Sequence, residues 1–158
     1  MSRTGGEAIT AEGLRALEAE IRELETNGRR AMAERIKAAR ELGDLKENAE
    51  YHIAKDDQAH LETKIGRLRE RLAAAVLVEP DAGATGFGFG RTAEVHDETS
   101  GARHTWTIVG ATEANVAEGR LSSESPVGKA LLGRAAGEVV TVETPRGARK
   151  YRIERFLA

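Results

Sequence analysis

The chain has 158 residues, enough for one ordinary domain or two small ones. Aromatic residues make up only 4% of it and charged residues 32%, a balance that argues against one large buried core and for long solvated helices packed through a narrow apolar seam. The formal charge of −2 lies in the first half: residues 1–79 hold 14 Lys/Arg against 16 Asp/Glu, whereas residues 80–158 hold 10 of each, so neither half is a basic module that binds DNA or RNA by itself.

Residues 1–8 lack the apolar stretch of a signal peptide, and no apolar run approaches the roughly 18–20 residues of a membrane span. A chain without cysteine has no disulfide and no Cys-ligated zinc. A cytoplasmic protein is expected. The first elements are two long helices. Thr10 is a suitable N-cap, with Ile9 and Leu14 placed as a hydrophobic staple. Leu14, Leu17, Ile21 and Leu24 follow at heptad spacing, and the seam continues more loosely through Ala31, Met32, Ile36, Ala39 and Leu42. It breaks after Gly43 and resumes with Ala54, Leu61, Ile65, Leu68, Leu72 and Val76. Gly28 and Gly66 fall inside the helices and weaken them locally by up to ~1 kcal/mol each. Two such helices joined by a short turn fold back as an antiparallel hairpin. At ~1.5 Å rise per residue each arm is about 50 Å long, so the turn at residues 43–48 lies at the far end of a rod.

The pattern changes after Val78. Residues 80–90, rich in Gly and Ala, read as a linker. Gly86-Phe87-Gly88-Phe89-Gly90 only superficially resembles a phosphate-binding glycine loop, because no helix follows it. Strand-like runs occupy residues 92–96, 104–109, 139–143 and 150–156, with a hairpin turn at 97–101. Ser125-Pro126 reads as a helix start and Gly133 as its stop. The expected fold class is α+β: an N-terminal antiparallel coiled-coil hairpin over residues 1–79, a linker over 80–90, and a small antiparallel β-sheet domain with one short helix over 91–158.

The turn reads Gly43-Asp44-Leu45-Lys46-Glu47-Asn48-Ala49-Glu50-Tyr51. One reading is structural: Asp44 caps the second helix and Glu47, three residues on, completes a capping box. The other is chemical. Two neighbouring carboxylates at the end of a rod suit a hard cation such as Mg²⁺, which prefers oxygen ligands and keeps several waters. Two carboxylates alone hold Mg²⁺ weakly, so such a tip would complete a site that another protein supplies. The readings are compatible. The four histidines show no shared metal-ligand pattern, and there is no Ser/His/Asp arrangement.

The tip decapeptide 43–52, with Ala39-Arg40 before it and Ala54-Lys55 and Gln58 after it, resembles the Gre family of transcription elongation (transcript-cleavage) factors. Thr107-Ile108-Val109-Gly110, Ser125-Pro126-Val127-Gly128-Lys129-Ala130-Leu131-Leu132-Gly133 and Gly137-Glu138-Val139 resemble that family's C-terminal domain, whose fold is FKBP-like. The resemblance runs from about Ile9 to Phe156. It implies a protein that binds RNA polymerase, inserts its hairpin into the secondary channel and stimulates cleavage of backtracked RNA. Asp44 and Glu47 would help hold a Mg²⁺ shared with the polymerase active site. The protein would then be no enzyme itself and would carry no cofactor when isolated. Its partners would be RNA polymerase and the nascent RNA 3′ end, with no membrane and no small-molecule substrate, and it would be a monomer.

By the same resemblance Arg40, Lys46 and Lys55 would meet displaced RNA or the channel wall, although basic side chains also simply solubilise a helix. Asn48 and Tyr51 would brace the tip or touch polymerase, although helix capping and packing between the arms account for them equally well. The loop at Glu124, Ser125 and Pro126 would dock on the channel rim. Glu124 departs from the aspartate, asparagine or small polar residue expected there. Other readings remain: a channel-occupying regulator without cleavage activity, a scaffold oligomerising through the Leu14–Leu24 seam, or a prolyl isomerase, for which the second half has few aromatics.

Overall fold

The computed structural model describes residues 6–45, 47–80 and 85–157. The chain divides into two compact units, Leu14–Ala75 and the paired segments Met1–Gly13 and Val76–Ala158. The α+β class is as the patterns require. No helix among the described residues is long and apolar enough to cross a membrane.

The helical unit is an antiparallel hairpin. Its first arm comprises α1 (Ala11–Glu23), a π-helical turn (Leu24–Gly28) and α2 (Arg29–Arg40); the second is α3 (Ala49–Ala74). Thr10 caps α1 as expected, its Oγ1 accepting the Gly13 N–H at 3.0 Å. The π turn explains why the first seam reads loosely. A heptad continued from Leu24 reaches Gly28, Ala31, Arg35 and Ala38, but the buried residues are Ile36 and Ala39, one position later. A π turn accommodates one extra residue, so it restores the apolar side of the arm to its partner. Gly28 therefore sits in a phase correction, not in a weakened α-helix. In α3, Tyr51, Ala54, Gln58, Leu61, Ile65, Leu68 and Leu72 keep alternating 3/4 spacing, with Ala54, Ile65 and Leu68 buried. Ion pairs bridge the arms outside this seam: Arg29–Glu62 (2.8 Å), Arg35–Asp57 (2.7 Å), Glu20–Lys64 (3.7 Å) and Glu25–Arg69.

The second unit holds a five-stranded sheet in the order β5-β4-β3-β7-β6, built from β3 (Thr92–Asp97), β4 (Arg103–Val109), β5 (Arg120–Ser122), β6 (Val139–Thr144) and β7 (Gly147–Leu157). It also holds a two-stranded sheet of β1 (Glu7–Ile9) and β2 (Ala75–Leu77). The main sheet departs from the all-antiparallel expectation at one edge, where β5 runs parallel to β4 through Thr107↔Arg120 to Val109↔Ser122. That strand has three residues and one buried side chain, Leu121, too short to show alternation. One face of the sheet buries Val95, Trp106, Ile108 and Ile153 against α4 (Pro126–Leu131), which contributes Leu131.

The unit boundaries also differ from those read off composition. Residues 7–9 and 75–77, expected within the hairpin, pair as strands, and Glu7–Ile9 with Val76 and Leu77 belong with the β unit. Of the expected linker, residues 81–84 lie outside the described residues, but Phe87 is fully buried in the β core. Its N–H donates to the Arg134 carbonyl and its carbonyl accepts from Gly133, both at 2.8 Å. Gly86 is needed beside it, since a Cβ there would lie 2.7 Å from the Gly133 carbonyl oxygen. Glycine content marked flexibility by composition, whereas here it permits close backbone approach.

Candidate functional site at the hairpin tip

The tip is the chain reversal between α2 and α3. The Leu42 N–H bonds the Ala39 carbonyl at 3.1 Å, and Gly43 takes a positive φ of 127° that disfavours a side chain. The Glu47 N–H then bonds the Asp44 carbonyl at 3.3 Å, closing a separate turn. α3 begins only at Ala49, and its N-cap is Asn48, whose Oδ1 accepts the Tyr51 N–H at 3.0 Å. The N-cap place expected for Asp44 is thus taken by Asn48. Asparagine caps as well as aspartate, and Asn48 stands where the helix starts, whereas Asp44 and Glu47 bracket a turn ahead of it.

Asp44 and Glu47 are both exposed on this turn, and Lys46 between them lies outside the described residues. Arg40, at the end of α2, is exposed with its guanidinium 5.8 Å from the centroid of the half-buried Tyr51 ring, within the range of a cation–π contact. Tyr51 also meets His52 edge-on at 5.6 Å. Lys55 is exposed one turn further along α3, and its Nζ donates to Gln58 Oε1 at 3.0 Å. Asn48 is half-buried, and its Nδ2 donates to the Ala39 carbonyl at 2.5 Å. Leu42, expected to extend the first seam, is instead 68% exposed, and Leu45 and Ile53 around the turn are 41% and 55% exposed, because the last seam residue buried in the first arm is Ala39.

Two carboxylates on one exposed turn are hard oxygen donors of the kind Mg²⁺ accepts, and they fill only part of an octahedral shell. Among the described residues no group of three or more His, Cys, Asp or Glu side chains is placed to hold a metal ion. The donor set fits an ion whose remaining ligands come from elsewhere.

The second expected contact is a loop of the β unit. Ser125 caps α4, accepting the Gly128 N–H at 3.0 Å and donating its hydroxyl to the Ser122 carbonyl at 2.7 Å. The exposed Glu124 is held through its N–H, which donates to Ser122 Oγ at 3.0 Å, and Pro126 is exposed at the first turn of α4. Gly128 is required, because a Cβ there would overlap the Ser122 carbonyl oxygen. The loop therefore presents Glu124 and Pro126 outward while its serines are engaged within it.

The chain joins a helical hairpin with an acidic turn to a five-stranded sheet with one short helix, and sequence comparison assigns both units to one class of protein, the transcription elongation factors. The family description "Transcription elongation factor, N-terminal" matches residues 7–77, and "Transcription elongation factor, GreA/GreB, C-term" matches residues 84–156. The chain belongs to the GreA/GreB family of transcription elongation factors. Transcription elongation factor GreA of Roseiflexus castenholzii is 46% identical over 146 residues, 92% of this chain and 93% of that one. GreA of Chloroflexus aggregans is 47% identical with the same coverage of each chain, and GreA of Bacillus subtilis is 41% identical over 94% of both.

Proposed function

We propose that the protein binds RNA polymerase, places its hairpin in the secondary channel and stimulates the polymerase's cleavage of backtracked RNA, working as a cytoplasmic monomer. The observation that carries this reading is the exposed turn bearing Asp44 and Glu47, with the capping of α3 assigned to a different residue, Asn48. The acids at the end of the hairpin therefore have a placement that helix capping does not explain.

Asp44 and Glu47 offer carboxylate oxygens that can hold water by accepting its hydrogen bonds and can supplement an incomplete ligand shell. A Mg²⁺ held jointly with the polymerase would supply an activated water for attack on an internal RNA phosphodiester. Arg40 and Lys55, exposed along the two arms near the turn, provide positive charge for the displaced RNA. Glu124 and Pro126, outward on their loop, provide the rim contact. The chemistry belongs to the polymerase, and this chain donates ligands to it.

The test is transcript cleavage by a stalled, backtracked elongation complex with Mg²⁺, comparing wild type with Asp44→Asn and Glu47→Gln. Each substitution should lower the stimulated rate by about 100-fold, the scale of losing one preorganised electrostatic group, while polymerase binding persists. A folded, polymerase-bound wild type that gave no stimulation would overturn the reading in favour of a channel-occupying regulator.

A further inference from the structure

We propose that Asn48 is a positioning residue for the acidic tip: its amide ties the end of α2 to the start of α3 and holds the turn carrying Asp44 and Glu47. This rests on the cleavage reading given above. Both ends of the amide are committed. Oδ1 accepts the Tyr51 N–H on α3, and Nδ2 donates to the Ala39 carbonyl on α2. One partner is a backbone donor and the other a backbone acceptor, so only one orientation of the amide satisfies both.

The tie joins the two ends of the turn. The Ala39 carbonyl receives Asn48 Nδ2 and also the Leu42 N–H, the first bond of the chain reversal. Arg40, next to Ala39, makes a second cross-arm contact with Tyr51 itself, its guanidinium lying over the ring. Asn48 is half-buried between the arms, whereas Asp44 and Glu47 are exposed. Its engaged amide suits a brace better than a surface for RNA or polymerase.

The geometry is specific to asparagine. Serine or aspartate can still accept the Tyr51 N–H and cap α3. A serine hydroxyl is too short to span to the other arm as well, and an ionised aspartate has no proton to donate there. Either change therefore keeps the cap and removes the tie. Loosening the turn misplaces the carboxylates without removing them, and misplacement near an ångström lowers rates by up to about 100-fold.

The experiment measures cleavage by backtracked complexes as a function of factor and Mg²⁺ concentration, with wild type, Asn48→Ser and Asn48→Asp. The saturated rate should fall about 10- to 100-fold in both variants. The Mg²⁺ needed for half-maximal rate should rise, with half-saturating factor concentration and melting temperature unchanged. Wild-type rates in both variants would overturn the proposal. So would a loss expressed only as a higher half-saturating factor concentration, which would make Asn48 a polymerase contact. Amide exchange across residues 41–47 separates the two claims: it should quicken in Asn48→Ser while Ile65 is unaffected. If wild type stimulates no cleavage, the functional reading fails, and unchanged exchange would then defeat the tie independently.

Discussion

Replacing Asp97 by alanine should destabilise the β unit by about 3 kcal/mol. Asp97 ends β3 with 2% of its surface exposed. Its Oδ1 accepts the Thr99 and Ser100 N–H groups at 2.9 and 3.1 Å, and its Oδ2 accepts from Arg149 Nη2 at 2.9 Å. Burial alone would raise its pKa, but hydrogen bonds from Ser100, Thr99 and Arg149 outweigh it and hold the carboxyl below its ordinary value. Hydrogen bonds to a charged group contribute roughly 1.5–3 kcal/mol each, and partial rehydration of the turn and of Arg149 reduces the sum. Asp97→Asn, which keeps an acceptor for the turn, should lose about half as much. Urea unfolding can be followed through Trp106, the chain's single tryptophan, buried in the β core and 5.6 Å from the Tyr151 ring. With a slope of about 1–3 kcal/mol per molar, the alanine midpoint should fall by roughly 1–3 M. Because the folded pKa is the lower one, the charge-dependent part of the stabilisation is complete above the unfolded value of about 3.8 and is lost as pH falls through the folded value. The gap between wild type and Asp97→Ala should be constant from pH 7 to 5 and shrink below pH 4. A gap under 1 kcal/mol at neutral pH, or one undiminished at pH 2, would refute this account.

Phe87→Ala should cost about 3–5 kcal/mol by the same fluorescence signal, because the residue is fully buried; a segment acting as a linker would show almost no change. Gly13→Ala would place a Cβ against the Glu113 carboxyl group, which also accepts the Thr10 N–H at 3.1 Å. Displacing that carboxyl group should roughly cancel the gain of about 1 kcal/mol from replacing a helical glycine, leaving thermal unfolding by circular dichroism nearly unchanged, whereas the same substitution should stabilise by about 1 kcal/mol when Glu113→Ala is already present. In the hairpin, Asp44→Asn and Glu47→Gln should leave the melting temperature unchanged, whereas Asn48→Ala should lower stability by about 1 kcal/mol through loss of the cap.

Much of this architecture was legible because it rests on periodicity. The second arm keeps an unbroken 3/4 spacing, and the alternation of β3 and β6 is plain. Ser125 with Pro126 marked the start of α4 in advance. Legibility failed where backbone geometry overrode side-chain pattern. A one-residue phase slip at Leu24–Gly28 looked like a weak seam until the π turn accounted for it. Phe87 was hidden by its glycines, and β5 by its brevity. At the tip, Asp44 and Asn48 were equally good caps in one dimension. The choice between them depended on where α3 begins, which is a matter of how the arms meet through Ala39. The tip residues were found from their motif, but their division into exposed acids and an inter-arm brace required coordinates.

The two-stranded sheet has a topological consequence. β1 and β2 lie side by side although nearly the whole hairpin separates them in the chain, and the Val78 N–H reaches back to the Ile9 carbonyl at 3.0 Å. The hairpin is therefore an insertion in a host module, not a leading domain joined by a tether. An isolated host is best engineered by excising Leu14–Ala74 and bridging the gap with a short loop, so that the ribbon survives. Cutting at residues 80–90 would instead remove the host's first strand and, beyond residue 87, a core aromatic. By the same logic hairpins of other lengths could be exchanged between relatives at the ribbon, as interchangeable cassettes, provided that both strands of the ribbon stay with the host.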